Sequence, residues 1–179
     1  MIQNHWLTDA RRVPSPNASD RAAGTPIDLL VIHNISLPPG QFGGPWIDDL
    51  FRNRLDPGAH PYFAQIAHLQ VSAHVLVDRE GRVTQYVPFN RKAWHAGQSC
   101  YRGRSACNEF SIGIELEGCD DQDFTNEQYL KLIQVVQALL IHYPALSPHA
   151  IVGHSDIAPG RKTDPGPCFD WERLRAALG

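Results

Sequence analysis

Ser111-Ile112-Gly113-Ile114-Glu115-Leu116-Glu117 alternates without a break. Successive side chains of a strand point to opposite faces, so Ile112, Ile114 and Leu116 share one face while Gly113, Glu115 and Glu117 share the other. The first set reads as a core face, and the second aims two carboxylates away from that core. A second apolar run, Leu29-Leu30-Val31-Ile32-His33-Asn34, reads as a strand over residues 28–33 and ends on a histidine. A Pro/Gly loop from Leu37 to Pro45 follows it, then a short helix over residues 46–52. Residues 53–70 read as an irregular excursion near a site mouth. Residues 72–77 and 82–87, joined through Asp78-Arg79-Glu80-Gly81, form a hairpin with a glycine in its turn.

Thr125-Asn126-Glu127-Gln128 is a capping box that opens a helix running to about residue 143, where Pro144 stops it. Leu130, Leu132, Ile133, Val135, Val136, Leu139 and Leu140 make this helix apolar on most sides, which predicts burial against a sheet. A short strand over residues 150–153 delivers His154, and Asp170 caps a last helix with Trp171, Leu174 and Leu178 facing inward. Residues 1–26, with Pro14, Pro16 and Pro26, read as an irregular arm. Strands and helices intermix, which predicts an α/β (α+β) fold with a mixed central sheet flanked by helices, in one domain spanning residues 1–179.

At 179 residues the chain is long enough to bury a full core without staples. Its formal charge of -3 offers no basic excess for phosphates, which argues against nucleic acid as a partner. The start, Met1-Ile2-Gln3-Asn4-His5-Trp6, lacks the basic and apolar segments of an export signal, and no apolar run approaches a membrane span. A soluble cytoplasmic protein without a membrane partner is expected. Cys100, Cys107, Cys119 and Cys168 follow no zinc-ribbon spacing and are expected as reduced thiols.

The chemistry concentrates in Gly153-His154-Ser155-Asp156-Ile157-Ala158-Pro159-Gly160-Arg161-Lys162-Thr163-Asp164-Pro165-Gly166. Pro and Gly keep this run out of regular structure, so its charged groups are displayed on loop backbone. His33, His154 and Asp164 together offer two nitrogens and an oxygen, a donor set that suits a catalytic zinc with its fourth position open. An iron site of two histidines and a carboxylate is the chemical competitor, and ligand identity alone does not separate them. By pattern alone Glu115 could equally be a catalytic or a solvated strand carboxylate, with Glu117 as its comparison on the same face. His74 reads either as structural or as backing a ligand, and Asp156 either as orienting His154 or as a cap. Trp94, within Ala93-Trp94-His95-Ala96-Gly97, is a candidate platform for a sugar ring, and Asn34 a candidate hydrogen-bonding partner for a peptide.

The stretches 31–44, 111–118 and 153–167 closely resemble the AmpD family of zinc amidases, cytoplasmic 1,6-anhydro-N-acetylmuramyl-L-alanine amidases of Gram-negative bacteria. The resemblance runs from Trp6 to the last helix. It implies the fold of peptidoglycan recognition proteins and phage amidases, with one zinc ion held in a surface groove by His33, His154 and Asp164. Related branches use cysteine where this chain has Asp164, and place a catalytic tyrosine before a histidine where this chain has Ala73-His74. The resemblance therefore assigns the proton-moving role to Glu115 and makes Lys162 the cation beside the reacting carbonyl. It further implies a monomer acting on a soluble anhydro-muropeptide in peptidoglycan recycling, and so a link to beta-lactamase regulation. Amidase action on intact peptidoglycan, which would need export, and a non-catalytic peptidoglycan-binding module are the rival expectations. Gln70 and Ala106 stand where better-known relatives carry arginines near the peptide carboxylates, and Arg102 and Arg104 are the nearby substitutes.

Overall fold

The computed structural model describes residues 1–179. The N-terminal arm is more ordered than its prolines suggest. It carries β1 (Ile2–Gln3), β2 (Trp6–Leu7), β3 (Arg11–Arg12) and β4 (Ala18–Asp20). Its prolines fall between these strands, where no ladder donor is needed. β5 (Leu29–Ile35) follows, then α1 (Trp46–Phe51) and α2 (Phe63–Ile66), the latter a single turn within the excursion read as irregular. The hairpin is present but shorter than expected, as β6 (Val75–Val77) and β7 (Val83–Gln85). After β8 (Arg91–Ala93), β9 (Cys100–Tyr101) and β10 (Arg104–Ser105) come β11 (Ser111–Glu117), α3 (Asn126–His142), β12 (Ile151–Gly153), α4 (His154–Ile157) and α5 (Trp171–Leu178).

The central sheet has six strands in the order β12-β5-β11-β6-β7-β3. β12, β5, β11 and β6 pair in parallel, β6 and β7 antiparallel, and β3 of the arm closes the edge in parallel with β7. This is the mixed sheet that the intermixed elements predicted. Leu30, Ile32, Ile112, Ile114 and Leu116 pack on one face against Leu132, Val136 and Leu139 of α3 and Leu174 of α5. Thr125 caps α3 through the predicted box, its hydroxyl accepting the Gln128 N–H at 3.1 Å. α3 buries one stripe only: Leu130 is 59% exposed and Ile141 is also exposed, against the reading of a helix apolar on most sides.

The other face of the sheet is covered too, which the alternation did not reveal. All seven residues of β11 are buried, Glu115 and Glu117 included. The covering layer is built from segments with no periodic signal of their own: α1, α2 and the stretch from Trp94 to Phe110. Gly113 shows how closely it packs, since a Cβ there would lie 2.4 Å from Cγ of His95.

Arg21 ties the arm to this layer. Its guanidinium donates to the carbonyl oxygens of Phe89, Asn108, Glu109 and Ser111 at 2.8–3.3 Å, and burial lowers its pKa to about 10. Arg21→Ala leaves those carbonyls without their donor and is expected to destabilise the protein by about 2–3 kcal/mol. Urea denaturation reads the difference, and an unchanged midpoint would mean that the arm is not anchored there.

Candidate active site

Register delivers the functional side chains to one place. β5 and β11 pair with Glu115 beside His33, and β12 pairs with β5 so that Gly153 lies beside Ile32. The residue after Gly153 is His154, which therefore emerges next to His33. Three parallel strands end here, and the carboxyl ends of parallel strands are where open α/β sheets form ligand crevices. His154 opens α4, a single turn, and Asp156 caps it by accepting the Gly153 N–H at 2.7 Å. Asp156 is thus a cap and does not orient His154. The following loop turns back, the Ser155 N–H donating to the Asp164 carbonyl at 3.0 Å, and sets the Asp164 carboxylate against both histidines.

Nδ1 of His33 lies 3.0 Å from Nδ1 of His154 and 3.0 Å from Oδ2 of Asp164, and the His154 nitrogen lies 3.1 Å from the same oxygen. Nε2 of His154 faces the Ala96 carbonyl at 3.1 Å. A carbonyl can only accept, so the proton is assigned to Nε2 and Nδ1 of His154 presents a lone pair. His154 Nδ1 and Asp164 Oδ2, two acceptors facing each other at 3.1 Å, call for a positive group between them. Zinc at about 2.0–2.1 Å from each of three ligands in a tetrahedral arrangement holds them roughly 3.3 Å apart, close to the separations seen. The donor set therefore fits zinc. Burial lowers the His33 pKa to about 4 against the opposing pull of Asp164, which keeps the ring free of a competing positive charge.

These ligands border a cavity of about 320 Å³ together with Glu115, Lys162 and Trp94. Glu115 is 8% exposed, and its Oε2 is buried without a hydrogen-bond partner. Burial, reinforced by Asp164 and only partly countered by Lys162, pushes its pKa well above the ordinary glutamate value. Glu117, two residues on and on the same face, differs in every respect that matters. Its Oε1 accepts the Gly43 N–H at 2.6 Å and its Oε2 the Arg79 N–H at 3.2 Å, so it pins two loops and has nothing left to offer. Lys162 is exposed at the cavity edge.

Trp94 donates its indole N–H to Oγ of Ser19 at 3.0 Å, which fixes the ring as a cavity wall. Asn34 borders the cavity, but its amide N–H groups donate to Asp120 at 2.7 Å and to the Pro165 carbonyl at 3.0 Å. Those bonds brace the loop that carries Asp164. His74 is structural: Nδ1 accepts the Gly113 N–H and Nε2 meets the Arg91 carbonyl, each at 3.0 Å. Arg102 lies over Tyr101, while Arg104 pairs with Asp28 at 2.7 Å and lies over Phe110. Neither arginine borders the cavity. His95, overlooked beside Trp94 in the sequence, also borders it, with Nδ1 2.9 Å from Nε2 of His33. Nothing in its spacing marks it, because the contact crosses 62 residues.

Residues 23–167 match the family model of N-acetylmuramoyl-L-alanine amidase. The chain is 60% identical over 178 residues to the 1,6-anhydro-N-acetylmuramyl-L-alanine amidase AmpD of Enterobacter cloacae, covering 99% of this chain and 95% of that protein. It is 58% identical to the AmpD of Escherichia coli K12 over 99% and 97% of the two chains. A crystal structure of a selenomethionine AmpD derivative superposes with a TM-score of 0.97 at 57% identity, covering 100% of this chain and 99% of that one. The amidase AmiD of E. coli, solved with the substrate anhydro-N-acetylmuramic acid-L-Ala-D-gamma-Glu-L-Lys, superposes at 0.64 with 33% identity over 89% of this chain and 60% of that one. Amidases of this family are zinc-dependent in general, in keeping with the His33, His154 and Asp164 cluster. The chain belongs to the N-acetylmuramoyl-L-alanine amidase family, within its AmpD group.

Proposed function

We propose that this chain hydrolyses the amide between the lactyl carbonyl of 1,6-anhydro-N-acetylmuramic acid and the amine of L-alanine in soluble muropeptides, as a cytoplasmic step of peptidoglycan recycling. The observation that carries the reading is the unpartnered, buried Oε2 of Glu115 in the same cavity as His33, His154 and Asp164. A buried carboxylate with an idle oxygen is costly to the fold, and such perturbed groups cluster where protons are moved. AmiD, solved with an anhydro-muropeptide as substrate, supports the substrate class. All the groups required border one cavity of one chain, which supports a monomer as the working unit.

His33, His154 and Asp164 would hold one zinc ion, which when bound would supply Lewis acidity at the carbonyl and lower the pKa of a water to about 7. Glu115 accepts the proton of the attacking water on Oε2. Lys162 brings its ammonium to the oxygen that gains charge as the carbonyl becomes tetrahedral. Glu115 then returns the proton to the departing alanine nitrogen, and its raised pKa suits it to hold that proton until it is needed. Trp94 offers a flat apolar wall to the sugar ring. Asn34, with both amide hydrogens committed, has its carbonyl oxygen to offer a peptide N–H.

Lys162→Met is expected to lower kcat about a hundredfold at unchanged zinc content, the usual loss when one oxyanion donor is removed. Single-turnover kinetics checks it. The substrate is tested by mass spectrometry of protein incubated with anhydro-muramyl tripeptide or with intact sacculi, each with chelator and with zinc restored. Release of free tripeptide from the soluble substrate, lost with chelator and regained with zinc, is the expected result. Cleavage of sacculi instead would overturn the recycling role while keeping the chemistry.

A further inference from the structure

A metal-binding histidine usually donates its outer N–H to a group that can only accept, which fixes the tautomer. His154 follows that rule through the Ala96 carbonyl. His33 does not. Its outer nitrogen, Nε2, faces Nδ1 of His95 at 2.9 Å, and an imidazole nitrogen can donate or accept. Beyond it, Nε2 of His95 faces Oγ of Ser111 at 3.0 Å, and a hydroxyl can also do either. That contact is the one hydrogen bond of the Ser111 hydroxyl, and both residues are buried.

Two polarities of this row are available. In one, His33 Nε2–H donates to His95 Nδ1 and His95 Nε2–H donates to Ser111 Oγ, which leaves a lone pair on His33 Nδ1. In the other, Ser111 donates to His95, His95 donates from Nδ1 to His33, and the His33 proton sits on Nδ1, pointing at Asp164. That second arrangement fills the metal position with a proton.

We propose that His95 is a positioning residue that accepts the His33 Nε2–H, with its own Nε2–H on Ser111 Oγ, and so sets the metal affinity of the site. The proposal rests on the metal reading given above. The row is built rigidly. The His95 ring stands at 87° to that of His33, lies so close to Gly113 that a Cβ there would come within 2.4 Å, and starts from a backbone clipped by Asn108. Oδ1 of Asn108 accepts the N–H groups of His95 and Ala96 at 3.1 and 2.8 Å. The dipeptide His95-Ala96 therefore backs both histidines of the site, one through a side chain and one through a carbonyl.

The test is zinc affinity, measured by competition between metal-stripped protein and a chelating dye, for wild type, His95→Leu and His95→Asn. His95→Leu is expected to weaken zinc by about 10–100-fold, the usual cost of losing such a support. His95→Asn is expected to stay close to wild type, because an asparagine carbonyl replaces the acceptor at Nδ1. Melting of the metal-free forms separates this from damage to the fold, since a structural role would penalise Asn and Leu alike. Long-range proton–nitrogen spectra of the zinc-loaded wild type need no variant, and are expected to find His33 and His95 both protonated at Nε2. A proton on Nδ1 of His95, or equal zinc affinity in wild type and His95→Leu, overturns the proposal. Failure of the wild type to bind zinc would instead remove the metal reading on which it stands.

Discussion

Glu115→Gln is expected to lower kcat by about 10²–10⁴, the contribution typical of a positioned general acid–base, while zinc affinity stays near wild type. Glutamine keeps the size and shape of the side chain but cannot take up a proton from water or return one to the alanine nitrogen. The position invites this test because Oε2 makes no hydrogen bond that the substitution would break. Its burial beside Asp164 raises its proton affinity, so replacing the acid by a neutral amide removes an electrostatic strain and should leave the fold intact or slightly stabilised. Activity would be followed by tripeptide release and zinc by elemental analysis of the same samples. Wild-type turnover in Glu115→Gln would remove the residue from the mechanism. The matching substitution at Glu117 is expected to behave in the opposite way, weakening the fold through Gly43 and Arg79 with turnover less affected.

Asp164→Ala is expected to lose the metal first and activity as a consequence. The carboxylate is the negative ligand of the set, and one oxygen, Oδ2, meets both histidine nitrogens at 3.0–3.1 Å. Without it two neutral imidazoles face each other across 3.0 Å with no counter-charge for a divalent ion. Dialysed Asp164→Ala protein is therefore expected to be essentially free of zinc under conditions where wild type retains it, with hydrolysis abolished. Zinc at full stoichiometry and unchanged affinity in that variant would refute the ligand assignment. The pair of variants distinguishes the two roles, since one loses chemistry with metal in place and the other loses metal.

The central sheet was legible because burial imposes period two on any strand that packs, and β11 has it: Ile112, Ile114 and Leu116 do face α3. The capping box at Thr125 was equally legible, since it is a local exchange of hydrogen bonds within four residues. The environment of the opposite face was not. Nothing between Glu115 and Glu117 in the sequence distinguishes a carboxylate that pins Gly43 and Arg79 from one left idle in a cavity, because their neighbours come from distant segments. The arm misled for a related reason. Its strands are two or three residues long, and β3 and β4 owe their pairing to the distant β7 and β8, whereas its prolines speak only for themselves.

Strand faces, helix caps, the display of His154, Lys162 and Asp164 on irregular backbone, and the family resemblance carried by those motifs were all readable from the chain alone. Each is written in neighbouring residues or in a short period, and local sterics and hydrogen bonding enforce it. Only the folded chain shows that Glu115 stands beside His33, that His74 is structural, that Arg102 and Arg104 lie away from the cavity, and that His95 stands behind His33. Those outcomes depend on strand register and on loops folding back across the sheet. Contacts of that kind join residues tens of positions apart, and no local pattern encodes which pairs will meet.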